Sequence, residues 1–236
     1  MHSSNNAQNY FDVNNNLNKY KAHLFDLDGT LVASEKLKGK ALAMTCSKYM
    51  KHDEQELDFN IYKAVMGESW EIVINHFFSI AKISPQHSEF NTTFRSIYEK
   101  LLHDEAELTA YAKEYILSLK KENRKIGIVS SAATWMVNQL LKQLDIASLF
   151  DVLIAREHVT KHKPDPEAYQ LALSQLSMTC EEVLIYEDSW AGLTAANAAG
   201  CDAIAVRHDF NIENDLSLAM NVITAFDVNS IKTIGI

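Results

Sequence analysis

The stretch Ala22-His23-Leu24-Phe25-Asp26-Leu27-Asp28-Gly29-Thr30 decides how this chain is read. A mostly apolar run ends in two carboxylates two positions apart, and a glycine follows. Residues i and i+2 of an extended segment point the same way, so Asp26 and Asp28 project together from a strand end. Gly29 can then turn the chain sharply, because it tolerates backbone angles that other residues avoid. Two like charges on one side of a strand end repel unless a cation or a shared proton offsets them. The arrangement suits a divalent metal beside a carboxylate nucleophile. It also suits a plain strand-to-loop turn, where Asp and Gly are common, so the remainder of the chain has to decide between the two.

At 236 residues the chain can bury a full core, as one large domain or two smaller ones. Its 47% hydrophobic and 22% charged residues are ordinary globular values. A formal net charge of −9 argues against nucleic acid or an anionic membrane as partner. It also means that a phosphate site must build its own local positive field. Cys46, Cys180 and Cys201 are scattered and odd in number, as expected of reduced thiols in a cytoplasmic protein. Residues 1–18 are rich in Asn and Ser and carry no apolar segment of signal-peptide length, which predicts a mobile tail. No stretch reaches the roughly 20 apolar residues needed to span a bilayer.

Outward from the opening strand (residues 21–26) the periodicity turns helical at Glu35 and stays so through residue 106. Helices are expected at 35–50 and 69–81, the latter with Trp70, Val73, Ile74, Phe77 and Phe78 on one side. A third opens at Ser84-Pro85, with proline at its first position, and carries Phe90, Phe94 and Tyr98. Gly67 breaks a short segment at 61–66. Beyond residue 107 strands (125–130, 151–155, 183–186, 202–206) alternate with helices (111–119, 135–144, 165–176, 190–199). That alternation predicts a Rossmann-like, doubly wound parallel α/β sheet. Residues 19–33 and 107–236 would form this core, and residues 34–106 an inserted all-helical module, with hinges near Ala33 and Glu107.

Ligands of open parallel sheets bind beyond the carboxyl ends of the strands. After the first strand come Asp26 and Asp28, and after the second Ser130 and Ser131. After the third come Lys161-His162-Lys163-Pro164-Asp165-Pro166, and after the fourth Glu187-Asp188-Ser189. Alone, Ser130 reads as a helix cap, Lys163 as a solvated charge and Glu187-Asp188 as a loop pair. Together they are the parts that phosphoryl transfer needs, where catalysis is mostly positioning and electrostatics. A carboxylate can form an acyl phosphate, hard carboxylate oxygens suit Mg²⁺, and a second carboxylate can move protons.

At this point the chain resembles the haloacid dehalogenase superfamily of phosphohydrolases, in the branch with a helical cap. Asp26-Leu27-Asp28-Gly29-Thr30-Leu31 matches the nucleophile motif, and Ser130 after Ile126-Gly127-Ile128-Val129 the second. Lys163 before Pro164-Asp165-Pro166 matches the third, and Glu187-Asp188-Ser189 with Ala191-Gly192 the acidic fourth. The resemblance implies that Asp26 is the nucleophile and Asp28 the acid/base, with its backbone carbonyl on the metal. It implies that Asp188, helped by Glu187, completes a Mg²⁺ site with Asp26. Ser130 and Ser131 would hold the phosphate, and Lys163 would neutralise charge between it and Asp26.

An aspartate at position 28 argues against dehalogenase and phosphonate-cleaving relatives, which need no proton donor to an ester oxygen. The β-phosphoglucomutase-like branch is the nearest in layout. There a histidine stands where this chain has Lys38, and an arginine where it has Trp70, so a firm anchor for a second phosphate is missing. The expectation is therefore a monomeric phosphatase of a small phosphorylated metabolite, a sugar phosphate or a phosphoglycolate-like acid. A sugar-phosphate mutase and a non-catalytic phospho-ligand-binding protein are the alternatives. Lys38, Glu68, Trp70 and His76 are the candidates to carry substrate choice from the inserted module. Lys36, Lys38 and Lys40 alternate along a helix, so no more than one or two of them can point at the site.

Overall fold

A computed structural model of the protein describes residues 19–51 and 56–233; the expected tail at residues 1–18 lies outside them. Six strands, β1 (Ala22–Phe25), β2 (Lys125–Val129), β3 (Val152–Ile154), β4 (Val183–Glu187), β5 (Asp202–Val206) and β6 (Asn221–Ile223), form one sheet in the order β3-β2-β1-β4-β5-β6. Every pairing is parallel. Such strands are covered on both faces, so they read as apolar runs without polar alternation, and all residues of β1 and β4 are buried.

Side-chain alternation splits these runs into two apolar layers. Leu24, Val129, Ile185, Ala203 and Ala205 face α6 (Glu167–Leu176) and α7 (Trp190–Ala198) through Tyr169, Ala172, Leu193 and Ala195. Phe25, Ile126, Ile128, Tyr186 and Ile204 face α4 (Ala112–Lys121) and α5 (Thr134–Gln143) through Ile116, Leu119, Val137 and Leu140, with Phe226 closing that layer. This is the doubly wound, Rossmann-like arrangement, and its strand order reverses between β1 and β4. The crevice outside that switch point is where open sheets bind ligands.

Between β1 and α4 the chain makes α1 (Glu35–Ser47), a 3-10 turn (Phe59–Val65), α2 (Trp70–Ala81) and α3 (His87–Glu105). These pack around a separate apolar cluster of Leu42, Cys46, Tyr62, Val73, Ile74, Phe77, Phe78 and Phe90. Burying a phenylalanine such as Phe77 or Phe90 contributes about 1.5–3 kcal/mol, and truncating one to alanine would cost about 3–5 kcal/mol. The two connections to the sheet run side by side. Ala33 N donates to Glu107 O (3.0 Å) and Thr109 N to Leu31 O (2.8 Å).

Three local expectations need correction. Pro85 is not the first residue of its helix: α3 starts at His87 behind an extended Gln86 (ψ 130°). Half-buried Ile83 packs on the insertion's core, so the connection stays extended before the helix can start. The first helix ends at Ser47, short of residue 50. Finally, β6 and α8 (Val228–Thr233) follow β5. Neither carries a pattern long enough to read in the sequence, and β6 owes its place to pairing with β5.

Candidate active site

β1 ends at Phe25, so Asp26 is the first residue beyond the sheet's centre, and its N–H still bonds Tyr186 O of β4 (2.9 Å). Leu27 and Leu31 are fully buried, and Gly29 turns the chain between them at φ +79°. A side chain on Gly29 would also collide with the carboxylate of Asp188. Glycine is needed there for its backbone angle and for the acid that lies against it.

Lys163 ties three strand ends together. Its Nζ donates to Asp26 Oδ1 (2.7 Å), Val129 O (2.8 Å) and Glu187 Oε1 (2.5 Å), with its side chain only 6% exposed. Tyr169 of α6 donates to the same Glu187 oxygen (2.6 Å). The other oxygen of Glu187 takes Asp188 N (3.2 Å) and Ser189 Oγ (3.3 Å). Gly192 leaves the space that this carboxylate fills, since any Cβ would overlap it. Ser189 meanwhile caps α7 through Gly192 N (3.1 Å). Glu187 is thus held by four donors, and Lys163 has none of its three N–H bonds left over.

Asp188 receives Thr30 Oγ1 (3.4 Å) on one oxygen and His208 Nε2 (3.0 Å) on the other. Oxygens of Asp26, Glu187 and Asp188 lie within 4.8 Å of one another. Burial, with Glu187 and Asp188 nearby, pushes Asp26 well above the usual carboxylate range against the pull of Lys163. Burial with Glu35 and Glu187 does the same to Asp188. Burial pulls the Lys163 ammonium down, but Asp26 and Glu187 outweigh it and hold it above its ordinary value. The buried carboxylates Asp26, Glu35, Glu187 and Asp188 and the half-buried Asp28 share the two ammonium groups Lys38 and Lys163. Hard oxygens with excess negative charge fit a divalent cation of the Mg²⁺ class, and Asp26, Glu187 and Asp188 are close enough together that they could hold one.

Asp28 sits in different surroundings. Its Oδ1 accepts from Ser34 Oγ (2.8 Å) and from Tyr98 OH of α3 (3.3 Å). Ser34 precedes α1 at the N-cap position but makes no side-chain cap bond to it, having turned its hydroxyl to Asp28. A missing cap costs a helix about 1 kcal/mol, a local loss that the bond to Asp28 offsets. Burial raises Asp28, while Lys38 and the two hydroxyls oppose the rise. Lys38 Nζ bonds Glu35 Oε1 (3.0 Å) and Tyr62 OH bonds Glu35 Oε2 (2.6 Å). Burial works against both charges of this pair, yet each holds the other in its ionised form.

The remaining candidates fall in different places. Ser130 is buried one residue beyond the Val129 carbonyl that Lys163 bonds, and its Oγ accepts Ala132 N (3.0 Å). Ser131 is exposed in the same turn. Trp70 lies within the insertion, its indole donating to Asn91 Oδ1 (2.9 Å) and packed on Phe94 at 4.7 Å. Phe94 stacks on Tyr98 at 5.4 Å, so Trp70 is connected to Asp28 through two rings. Glu68 is exposed, and the buried Nε2 of His76 has no partner among the described residues. Of the three alternating lysines, Lys36 lies over Phe59 and Lys40 pairs with Glu105, so Lys38 is the one that reaches Asp28's surroundings.

Sequence reasoning missed Glu35, Tyr62, Tyr98, Tyr169 and His208. The rule of inspecting strand ends would have found His208, which stands two residues past β5, had it been applied to the fifth strand. Glu35 lies four residues past the nucleophile motif, which ends at Leu31. Tyr169 follows the Lys163-Pro164-Asp165-Pro166 motif by three residues, whereas Tyr62 and Tyr98 lie on segments that only the fold brings here.

The chain's residues 23–206 match the family model of the haloacid dehalogenase-like hydrolases. It is 27% identical over 223 residues to a phosphoglycolate phosphatase of Photorhabdus laumondii, covering 92% of this chain and 93% of that protein. It is 26% identical over 192 residues to a phosphorylated carbohydrates phosphatase of Thermotoga maritima, covering 81% and 87%. Among solved structures, CbbY of Rhodobacter sphaeroides in complex with phosphate superposes with a TM-score of 0.72 at 23% identity, covering 88% and 95%.

Proposed function

This chain belongs to the haloacid dehalogenase-like hydrolases and is a phosphoric monoester hydrolase, and from that premise we propose that it hydrolyses a small phosphorylated metabolite through an aspartyl-phosphate on Asp26. The observation that carries this reading is the different treatment of the two aspartates. Asp26 is bound to Lys163 beside Glu187 and Asp188. Among the described residues Asp28 accepts only from the hydroxyls of Ser34 and Tyr98, with no ammonium group bonded to it. Two carboxyl groups pushed into different roles by their surroundings are what an acid/base pair and a nucleophile require.

In this reading an oxygen of Asp26 attacks phosphorus and the ester P–O bond breaks. The departing oxygen takes the proton of Asp28. A water then attacks the acyl phosphate and gives a proton back to Asp28, so inorganic phosphate leaves and Asp26 is restored. Mg²⁺ held by Asp26, Asp188 and the backbone of Asp28 would neutralise phosphate charge. Ser130 and the N–H of Ser131 hold phosphate oxygens, and Lys163 keeps Asp26 aimed. The helical insertion, residues 34–106, acts as a cap and supplies substrate choice.

Lys38 is already paired with Glu35, and Trp70 stands where the mutase keeps an arginine. Both features support hydrolysis over transfer between two positions of one sugar, because neither offers a free cation to a second phosphate. The neutral Lys38–Glu35 pair favours a hydroxyl-bearing leaving group such as a sugar or polyol. The test is a panel of phosphorylated metabolites read for free phosphate and for rearranged product, with mass spectrometry of acid-quenched enzyme. Phosphate release with label on Asp26, abolished by EDTA and by Asp26→Asn, is expected. Rearranged sugar phosphate with little free phosphate, or label on any other residue, would refute it.

A further inference from the structure

The segment after β5, residues 207–214, touches both the helical insertion and Asp188, through contacts that interleave along it. On the insertion side Phe210, 7% exposed, is part of the insertion's apolar cluster. Its ring lies 6.4 Å from Phe59 and 6.2 Å from Tyr62, with Lys63 Nζ 5.1 Å above it. Asn214 adds a bond from Nδ2 to Met66 O (3.2 Å). On the sheet side the fully buried Asn211 donates to the backbone carbonyl of Asp188 (2.8 Å) and to Val206 O (2.9 Å).

His208 stands two residues before Phe210 in the same turn. The backbone N–H of Phe210 donates to its Nδ1 (3.2 Å), which makes that nitrogen the acceptor. The ring proton is therefore on Nε2, and it is donated to Asp188 Oδ2 (3.0 Å). Arg207 closes the segment on itself by donating to Asn211 O (2.9 Å) and Ile212 O (2.6 Å). The residue anchored in the insertion thus sets the tautomer and the aim of the ring that holds Asp188. Any shift of the insertion that moves Phe210 moves the donor of Asp188 with it.

We propose that residues 207–214 are a strap coupling the position of the helical insertion to the carboxylate of Asp188. His208 is a positioning residue for that carboxylate, and Phe210 is the strap's grip on the insertion. The inference rests on the reading of Asp188 as a Mg²⁺-holding residue. Its consequence is that an apolar contact inside the helical module tunes metal affinity at the sheet edge. Substrate enclosure and metal retention then rise and fall together.

The test is calorimetric titration of the full chain with Mg²⁺ alone, without substrate, paired with thermal melting in EDTA. Residues that orient a metal ligand typically change affinity 10–100-fold when removed. His208→Ala should weaken Mg²⁺ binding about tenfold by that measure, and Phe210→Ala should weaken it in the same direction. The double variant should bind no more weakly than His208→Ala alone, since both act on one bond. His208→Gln, which can still present an N–H to Asp188, should restore most of the affinity. Should Phe210→Ala fail to fold, Phe210→Leu keeps the apolar anchor while loosening its fit, and must still weaken binding. Unchanged Mg²⁺ affinity in the folded Phe210 variant, or losses that multiply in the double variant, would overturn the strap. Asp188→Ala separates the two ideas. If it leaves Mg²⁺ binding intact, the metal-site reading itself fails and the strap falls with it. If it abolishes binding while the Phe210 variants bind normally, only the strap is lost.

Discussion

The sheet edge and the helical insertion hold their polar groups by opposite means. At the edge, Asp26, Ser130 and Glu187–Asp188 each leave the end of a parallel strand, and the strand register sets where they begin. Lys163 then joins two of these carboxylates and a backbone carbonyl with all of its donors. In the insertion no strand register exists. Lys38 and Tyr62 reach Asp28's neighbourhood from segments that pack around Phe77 and Phe90, and Tyr98 from the part of α3 that packs on the sheet's own cluster. The edge is rigid in charge and in place, whereas the insertion is rigid only while its apolar contacts hold. The difference teaches that strand ends place the groups of one part, whereas helix packing places those of the other.

The strongest way to break this contrast is to remove the cation of the edge. Lys163→Met keeps most of the side chain's volume but leaves Asp26 and Glu187 buried beside each other without a positive charge. Loss of one preorganised charge-stabilising group costs about 10²–10³ in kcat, and breaking a buried ion pair destabilises by about 3–5 kcal/mol. Phosphate release and thermal melting measure the two effects. A variant that keeps full turnover would show that the edge is not fixed by Lys163.

A smaller effect is expected from the insertion's side. Tyr98→Phe removes one of two hydroxyls on Asp28 and leaves the bond from Ser34. The hydroxyls oppose the rise that burial imposes on Asp28, so losing one lets it rise further. The pH limb of kcat assigned to this group should move to higher pH, with a change of a few-fold, equivalent to about 1 kcal/mol. An unmoved profile would sever Tyr98 from the acid/base.

The smallest effect concerns stability. Asp188 is raised in the folded protein, so its native form binds a proton more tightly than the unfolded chain does. Its contribution is therefore fully present below the ordinary value of 3.8 and is lost as pH rises through the folded value. At neutral pH without metal the charged group is a liability. Asp188→Asn, melted in EDTA at pH 7, should be more stable by about 1 kcal/mol, a shift of about 2–4 °C for a chain of this size. The gain should shrink at low pH. A variant that melts lower than the wild type would mean that the bonds from His208 and Thr30 outweigh the charge penalty.

Much of the core was legible in the residues themselves. Short apolar runs separated by helical periods specify a parallel sheet, and a strand end specifies which residues stand at its edge, because pairing leaves them no other place. Asp26, Asp28, Ser130, Glu187 and Asp188 were readable for that reason; Lys163, nine residues past β3, was readable from its motif with Pro164 and Pro166. Pro85 was misread because its connection obeys the packing of Ile83 and not the local preference of proline. Trp70 is a candidate to carry substrate choice in the sequence, and the fold gives its indole a partner in Asn91 and a ring neighbour in Phe94.

By itself the sequence determined the class of the protein: an α/β sheet whose strand ends carry the groups of phosphoryl transfer, interrupted by helices. Alternation and spacing are local properties, and local properties suffice to set strands, helices and the residues that follow them. The tertiary structure alone decided that Asp28 answers to Tyr98, that Lys38 is neutralised by Glu35, and that His208 with Phe210 links the insertion to Asp188. Those contacts bridge segments far apart in the chain. They depend on how two separately packed apolar clusters meet, and no period within either segment encodes that meeting.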